Sequence, residues 1–547
     1  MSNQPQGLLS LVLHCHLPFV RHPEHEYFLE ENWYYEALFE TYLPLLKVFE
    51  RLEKEKVPFR LTLSVSPTLL SMCLDPLLQK RAVRYADKLI GLAEKEEKRV
   101  RKSPEFQPVV RMYLAKLQDD RERFIHQYHC NIAEGFKKFQ DLGRLEIITC
   151  GATHGYFPLL GGREAAVRAQ VQTALEFHRS FFGRESPGFW LPECGYQPGQ
   201  EILLKEMGLG YFFVESHGLL QASPRPKYGT FAPIVTASGT AVFARDMESA
   251  KQVWSSKEGY PGDPDYREFY RDVGYDLSEA ELHPYLQPEG LRRFTGLKYY
   301  RVTGPTDKKE PYDPVRAQSK AKEHALDFLT RRKKQAADVS PWMDRPPLIN
   351  CLFDAELFGH WWYEGPDFLY FLFEQNHLTG SQLAFVSPSD YLRQFRLNQP
   401  SQPVFSSWGL GGYSEFWLNE TNDWIYPHLN KACDEMVQLA DRPAEQAGFT
   451  VRALNQAARE LLLAQASDWA FMMKAGNYRT YAEKRIKLHL IRFHQLARQV
   501  FHQDIDARFL SDLEELDNLF PGMDYRVFQT KTEKKNYLAS EDWDDRR

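Results

Sequence analysis

The sequence predicts an α/β fold in which a parallel β/α barrel is followed by an all-α region. Short apolar runs recur along the first 390 residues, and most of them lack alternation, as is typical of strands buried on both faces. Segments with helical spacing lie between the runs, and strands that alternate with helices form parallel sheets, for which a barrel is the expected closure over this length. Beyond about residue 395 only helical patterns continue.

Eight apolar runs are the predicted strands of the barrel. The intervening segment 163–183 has helical spacing and closes with a glycine, the residue that most often follows a helix. In chain order the predicted strands are residues 8–16, 59–67, 145–155, 188–196, 211–218, 240–246, 347–359 and 382–390.

Two stretches interrupt the alternation of strands and helices. Residues near 74–143 are charged and have helical spacing, which predicts a helical insertion after the second strand. Residues near 220–315 are rich in Gly, Pro and Tyr, which predicts long ordered loops. We therefore expect a barrel domain over 1–395, a helical domain over 396–530 and, because the last residues are polar and charged, a tail over 531–547.

The composition narrows the class of protein. The formal net charge is −6 and no long basic run occurs, which excludes the electrostatic footprint of a nucleic-acid-binding protein. The N-terminus has no basic region with a cleavage site, and its apolar run is shorter than the roughly 20 residues that span a bilayer, so we expect a cytoplasmic protein. We also expect it to act as a monomer. The 7 cysteines form no CxxC pair, which argues against disulfides and structural zinc.

Polar side chains gather where the predicted strands end. The C-terminal ends of the strands converge on one face of a β/α barrel, and that face carries the active site. The distribution therefore predicts one catalytic mouth. The residues at these ends are His14, His16, Ser66, His154, Glu193, Glu215, His217, Arg245, Asp246, Asp354 and Glu356.

One chemistry that fits these residues is metal-dependent hydrolysis. His14 and His16 form the His-x-His pair that opens some metal-dependent barrel hydrolases, and His154 or Asp354 would supply further ligands.

The other chemistry that fits is a pair of carboxyl groups from different strands, one attacking an anomeric carbon while the other protonates the leaving oxygen. Glu193 and Asp354 fit, because each ends a buried strand among apolar neighbours, where burial raises the pKa of a carboxyl group. Glu356 competes with Asp354, since the two side chains share one face of a strand. The residue pattern alone leaves this choice open.

Five ordered motifs resemble those of glycoside hydrolase family 57. They are HCHLPFV (14–20), CGATHGYFPLL (150–160), WLPECGY (190–196), FDAELFGHWWYEG (353–365) and SSWGLGGYSEFWLN (406–419). They extend from the first predicted strand into the helical region. The fourth motif, with its WWYEG ending, and the helical C-terminal region most resemble those of the family's 1,4-α-glucan branching enzymes.

The resemblance implies an incomplete seven-stranded (β/α)7 barrel with a helical insertion, followed by a helical domain that helps to form the active-site cleft. It implies a retaining mechanism without metal or other cofactor, in which Glu193 is the nucleophile and Asp354 the general acid/base. The implied substrate is an α-glucan, acting as donor and acceptor in the formation of α-1,6 branches. The same carboxyl groups serve α-amylase-type hydrolysis and 4-α-glucanotransfer, which stay open as alternatives, as does a catalytically silent glucan-binding protein.

The resemblance also implies residues that bind the substrate. His14 and His154 match positions that line the donor glucose subsite, and Trp408 and Trp417 match aromatic residues of the cleft that stack on glucose rings. Asp468 matches an acid of the helical domain that contacts substrate.

Two further positions are candidates by residue type. Trp254 is an additional aromatic residue for the cleft, and the Pro- and Gly-rich loop 221–233 has the composition of a lid with Tyr228 at its tip. The third motif has Gly195 where alanine is more often expected. We also expect polar neighbours to donate hydrogen bonds that keep Glu193 ionised.

Overall fold

The fold is given by a computed structural model, which describes residues 5–255, 258–283, 285, 294–380, 382–442 and 448–530. The predicted tail at 531–547 lies outside the described residues.

Each of the eight predicted runs contains a strand. Two further strands, each of two residues, were not predicted, because so short a segment has no pattern of its own. The strands are β1 (Gly7–Cys15), β2 (Leu61–Val65), β3 (Leu145–Cys150), β4 (Gly188–Trp190), β5 (Tyr211–Val214), β6 (Ile234–Val235), β7 (Ala241–Ala244), β8 (Leu348–Asp354), β9 (Leu383–Phe385) and β10 (Gln399–Pro400).

Seven strands form one parallel sheet in the order β7-β5-β4-β3-β2-β1-β8. β9 pairs with the start of β1, β6 lies antiparallel beside β7, and β10 extends that edge. The end strands β7 and β8 share no ladder among the described residues, although Asp246 N donates to Asn350 O at 2.9 Å between them. The barrel is therefore incomplete, and the predicted fold class is confirmed.

Alternate residues of the buried strands face the barrel interior. In β1, Leu8 and Val12 belong to an apolar cluster that also contains Trp190 and Leu352 from other strands. Side chains two apart on a strand share a face, so His14 and Asp354 continue the interior faces of β1 and β8 at their C-terminal ends. The strand pairing sets His14 opposite Asp354. The polar ends of the apolar runs thus meet at one mouth.

Helices cover the outside of the sheet and occupy the predicted insertion between β2 and β3. None of them, over the ranges that the structure describes, is both long and apolar enough to cross a membrane. The α-helices up to residue 394 are Asn32–Ala37, Leu43–Lys54, Pro67–Leu74, Pro76–Arg99, Gln107–Glu122, Ala133–Asp141, Phe157–Leu160, Glu164–Phe182, Gln200–Glu206, Ser216–Leu220, Met247–Trp254, Glu279–Leu282, Pro314–Val339, Gly365–Leu378 and Pro388–Gln394.

The C-terminal region is helical and touches the barrel mouth. Ser467 N donates to His154 O at 2.9 Å, and Gln170 Nε2 donates to Gln465 Oε1 at 3.0 Å. The first bond holds the start of the helix Ser467–Ala475 against the loop that follows β3, and the second joins Gln465 to the helix Glu164–Phe182. The helices of this region are Ile425–Ala440, Phe449–Ala464, Ser467–Ala475, Arg479–His502 and Ala507–Leu516.

Candidate active site

Glu193 is held in a tight turn directly after β4. The turn Pro192–Cys194 places Glu193 at φ 62° and Cys194 at φ 49°, the left-handed region that non-glycine residues seldom adopt. Such conformations cost on the order of 1–3 kcal/mol each and persist where the surrounding structure imposes them, often at functional sites. The turn leaves the Glu193 side chain 14% exposed at the barrel mouth.

Two hydrogen bonds stabilise the Glu193 carboxylate. Trp408 Nε1 donates to its Oε2 and Ser467 Oγ donates to its Oε1, both at 2.7 Å. Burial raises the pKa of Glu193 to about 7, although these two donors lower it; Asp468 raises it and His16 lowers it. The donors are the polar neighbours expected from the sequence, and both come from the region after residue 395.

Asp354 lies in a different environment. It is the last residue of β8, and among the described residues no hydrogen bond to its carboxyl group is found. Burial, followed by the charges of Glu356 and Glu193, raises the pKa of Asp354 to about 8, while Arg245 opposes the shift. A carboxyl group in this setting keeps its proton near neutral pH and can deliver it.

Glu356, the competitor of Asp354, is already engaged. Its Oε1 accepts hydrogen bonds from the hydroxyl of Tyr42 and, at 3.2 Å, from His16 N. These bonds tie the side chain to the wall of the mouth. The geometry therefore favours Asp354 over Glu356 as the second carboxyl group.

His14 and His154 lie at the site, but their ring nitrogens are engaged by protein atoms. His14 bonds Ser64 Oγ through Nδ1 and His154 Nε2 through Nε2, both at 3.0 Å, and His154 bonds Ser467 Oγ through Nδ1 at 2.8 Å. Each residue is 2% exposed. Hydrogen bonds within the protein therefore engage all four ring nitrogens, and the expected contact with sugar hydroxyls stays a prediction.

His16 and Asp468 form a pair beside Glu193. His16 Nε2 lies 3.2 Å from both carboxylate oxygens of Asp468, and its ring stacks on that of His154 at 3.8 Å. Although burial lowers the pKa of His16, Asp468 raises it above its ordinary value. His16 therefore belongs to the site, and its contact with Asp468 places Asp468 there as well.

The three histidines bear on the metal alternative. One nitrogen from each of His14, His16 and His154 lies within 4.8 Å of the others, so the residues of the His-x-His hypothesis do meet. Asp354 is not part of this group. The Nε2 atoms of all three rings take part in hydrogen bonds, between His14 and His154 and between His16 and Asp468, whereas His16 Nδ1 has no partner among the described residues.

The two tryptophans of the fifth motif have different positions. Trp408 contacts Glu193 directly and packs edge-on against Trp190, with ring centroids 5.3 Å apart. Trp417 is 1% exposed and stacks on Tyr156 at 4.8 Å, so it supports the wall of the site and presents no open face to a glucose ring.

Trp254 and Tyr228 are not joined to the carboxyl pair by contacts among the described residues. Trp254 ends the helix Met247–Trp254 and is 38% exposed. Tyr228 lines a cleft with Asp344 and Arg345, which precede β8, whereas Asp354 ends that strand. Tyr228 therefore lies toward the opposite end of β8 from the mouth, which contradicts its expected position as a lid tip. The loop 221–233 leads into β6 at the sheet edge, and this edge pairing was not visible in the sequence.

The glycine of the third motif is matched to a neighbouring tyrosine. A Cβ at Gly195 would lie 2.5 Å from Tyr156 Cε2. Tyr156 is buried, stacks on Trp417 and hydrogen-bonds Ser414 Oγ at 2.6 Å, so it has little room to move.

Gly195→Ala is therefore expected to lower the free energy of unfolding by about 1–3 kcal/mol, the usual cost of overpacking. Thermal unfolding of the variant measures this effect. A melting temperature equal to that of the wild type would show that the Tyr156 ring is free to shift.

Sequence reasoning missed two further residues of the site. Ser467 donates a hydrogen bond to Glu193, and Ser64 bonds the His14 ring. Arg245, which lies 3.2 Å from Glu215 Oε2 and lowers the pKa of Asp354, was expected at the mouth, but without a role. Ser467 directly precedes Asp468, and this was the one signal in the sequence that could have identified it.

The chain matches known proteins along nearly all its length. The model described as glycosyl hydrolase family 57 matches residues 10–400, and a model described as 1,4-alpha-glucan branching enzyme, C-terminal, matches 428–528. A 1,4-alpha-glucan branching enzyme of Thermococcus kodakarensis is 33% identical over 550 residues, covering 94% of this chain and 77% of that protein.

Two solved structures are similar in both sequence and fold. One, described as the novel alpha-amylase AmyC from Thermotoga maritima, is 41% identical with a TM-score of 0.90, covering 96% of this chain and 99% of that one. The GH57-type branching enzyme from Pyrococcus horikoshii is 32% identical with a TM-score of 0.86, covering 96% and 97%.

The family model spans more than half of the chain, and the relatives above 30% identity cover almost all of it. The resemblance read from the five ordered motifs is confirmed: the chain belongs to glycosyl hydrolase family 57.

Proposed function

We propose that this protein is a retaining 1,4-α-glucan branching enzyme, with Glu193 as nucleophile and Asp354 as general acid/base. The observation that carries the site assignment is the contrast between the two carboxyl groups. Glu193 accepts hydrogen bonds from Trp408 and Ser467, which stabilise its ionised form, whereas Asp354 is half-buried beside other acids, which stabilises its protonated form.

Each group then has one role in each of two steps. In the first, a Glu193 carboxylate oxygen bonds to C1 of a glucosyl residue, the C1–O4 bond breaks, and Asp354 gives its proton to the departing O4. In the second, the 6-hydroxyl oxygen of another glucan chain bonds to C1, Asp354 takes the hydroxyl proton, and Glu193 leaves as a carboxylate. The result is an α-1,6 branch with retained configuration.

The region after residue 395 is proposed to complete the cleft over the barrel domain of residues 1–395. Both donors to Glu193 come from it, Trp408 from the fifth motif and Ser467 from the start of a C-terminal helix. The tryptophan side chain is also in direct contact with the nucleophile through its Nε1. Exclusion of water there favours a sugar hydroxyl as acceptor.

The branching activity is supported by the relatives. The C-terminal match is described by the name of this enzyme class, and curated and solved relatives at 32–33% identity carry the same description. We further propose that the protein acts as a cytoplasmic monomer on glycogen-type glucan, and size-exclusion chromatography tests the monomer.

Hydrolysis is the second candidate, favoured by the 41% identity to a structure described as an alpha-amylase. Water in place of the 6-hydroxyl would resolve the same intermediate. Incubation with amylose distinguishes the two by loss of iodine colour, new reducing ends, and the chains that a debranching enzyme releases. New α-1,6 linkages with few new reducing ends support branching, and abundant reducing ends without branches would contradict it.

Unchanged activity after exhaustive chelation would exclude the metal alternative.

The pH dependence of turnover depends on the second carboxyl group. Because the charge of Glu356 raises the pKa of Asp354, Glu356→Gln is expected to lower that pKa. Asp354 must be protonated for the first step, so the alkaline limb of kcat/KM should move to lower pH, by about 0.5 unit. A pH series of kcat/KM on amylose measures the shift, and an unmoved alkaline limb would argue that another group controls it.

A further inference from the structure

A chain of hydrogen bonds runs from the second strand to Glu193. It passes from Ser64 Oγ to the His14 ring, from there to the His154 ring, then to Ser467 Oγ and finally to Glu193 Oε1, with distances of 3.0, 3.0, 2.8 and 2.7 Å. All five side chains sit at the barrel mouth, and Ser64 and Ser467 are 0% and 2% exposed.

An ionised Glu193 fixes the direction of every proton in this chain. A carboxylate only accepts hydrogen bonds, so the single hydroxyl proton of Ser467 points to Glu193. Ser467 Oγ must then accept from His154 Nδ1–H. A neutral imidazole has one donor and one acceptor nitrogen, which makes His154 Nε2 the acceptor.

The remaining two bonds follow by the same rule. His14 must donate from Nε2–H to His154, so His14 Nδ1 is an acceptor and receives the hydroxyl proton of Ser64. Both rings are neutral in this arrangement, as their burial requires: it lowers the pKa of His14 and of His154 well below the ordinary value.

The backbone and the ring stacking hold the chain in place. The His14 ring lies parallel to that of Trp190 at 4.6 Å, and His154, at φ 59°, has the same left-handed conformation as Glu193. These contacts support His14 and His154 from inside the barrel. Through them they also hold Ser467, which is one of the two donors to Glu193 beside Trp408.

We propose that Ser64, His14, His154 and Ser467 form a directional hydrogen-bond chain whose role is to position the Glu193 carboxylate and keep it ionised. This inference rests on the proposed role of Glu193 as nucleophile and assigns His14 and His154 as positioning residues for it. The Glu193 carboxylate sets the direction, and the Ser64 hydroxyl strengthens it from the far end: by donating to His14 Nδ1 it makes each following group in the chain a stronger donor, so its loss weakens the bond from Ser467 to Glu193.

The variants that test the hydrogen-bond chain leave the other charged groups that face Glu193 unchanged. Asp468 and His16 flank the carboxylate, Asp354 and Glu356 lie on the β8 side, and Arg245 follows β7. The neighbouring thiols of Cys150 and Cys194 and the hydroxyl of Tyr156 stay neutral, because burial raises the pKa of each. A change in the acid limb of activity after loss of a serine hydroxyl therefore reports on the chain.

Ser467→Ala removes a donor to the carboxylate, so the pKa of Glu193 rises and the acid limb of kcat/KM moves to higher pH, by about one unit. Ser64→Ala, three bonds farther away, should move the limb in the same direction by about 0.5 unit. Ser64→Thr keeps a hydroxyl and should restore the wild-type limb. Turnover is counted as all cleaved α-1,4 bonds, whether the product is a branch or a reducing end.

Ser10→Ala is the matched control, because Ser10 is buried in β1, where it pairs with Asn350 of β8, and its hydroxyl has no hydrogen-bond partner among the described residues. Its acid limb should not move. An unmoved limb in Ser64→Ala, or an equal shift in Ser10→Ala, would overturn the proposal. A wild-type protein that cleaves no α-glucan would instead overturn the proposed function.

Neutron diffraction of the wild-type protein at a pH above 7 tests the proton directions without an activity assay. The expected result is a deuteron on His14 Nε2, on His154 Nδ1 and on Ser467 Oγ pointing to Glu193. A deuteron on His14 Nδ1 or His154 Nε2 would contradict the proposal.

Discussion

Glu193→Gln is expected to lower kcat/KM on amylose by about 10⁴-fold or more. The amide cannot form the covalent bond to C1, and loss of a nucleophile removes the path that splits one difficult step into two. The fold should survive, since a glutamine oxygen can still accept from Trp408 Nε1 and its amide can donate to Ser467 Oγ. Release of product from amylose at saturating enzyme measures the loss.

Thermal unfolding supplies the control for this variant. Burial raises the pKa of Glu193 to about 7, so its ionised form opposes folding; this cost is absent below the unfolded pKa of about 4.5 and complete above 7. Glu193→Gln should therefore melt at or above the wild-type temperature at pH 8 and show no such gain at pH 4. Activity within tenfold of the wild type would show that Glu193 is not the nucleophile.

Asp354→Asn should abolish turnover of amylose to a similar extent but with a different substrate dependence. The amide that replaces the carboxyl group has no acidic proton to give to O4, and general acid catalysis contributes roughly 10²–10⁴-fold. An activated aryl α-glycoside has a leaving group that departs without a proton, so formation of the intermediate from it should be much less impaired. Pre-steady-state release of the aryl group measures that step.

Glu356→Gln is the matched control for Asp354→Asn, because both remove an acidic charge from nearby positions at the end of β8. It should keep most of the turnover at neutral pH, since Glu356 is bonded to Tyr42 and His16. If Glu356→Gln lost the activity on amylose and Asp354→Asn kept it, the two assignments would have to be exchanged.

Much of the fold could be predicted, because strands buried on both faces leave long apolar runs in the sequence. All eight runs contain strands, and their polar ends mark the mouth where Glu193 and Asp354 lie. The order of the strands and the open edge between β7 and β8 depend on contacts between distant segments, so the residue pattern did not give them; the incomplete barrel was expected from the family resemblance.

The site could be predicted only in its principal residues. Glu193 and Asp354 are acids at the ends of apolar runs and lie in two of the family motifs, whereas Ser467 and Ser64 are ordinary serines whose importance arises from contacts across the fold. His14 and His154 were predicted to lie at the site, but the atoms that they bond could not be read from the sequence.

Tyr228 shows why loops resist this kind of prediction. Its Pro- and Gly-rich surroundings suggested a lid, but composition does not reveal direction. The segment instead leads to the short edge strands β6 and β10, and Tyr228 lies with Asp344 and Arg345 before β8.

The central claim is that Glu193 forms a covalent glycosyl-enzyme. A fluorinated glucosyl fluoride, which slows the breakdown of such an intermediate, followed by proteolysis and mass spectrometry, tests it directly. We expect one equivalent of sugar on the peptide that contains Glu193, and none in Glu193→Gln. Sugar on Asp354 or on any other residue, or full turnover with no trapped sugar, would contradict the account.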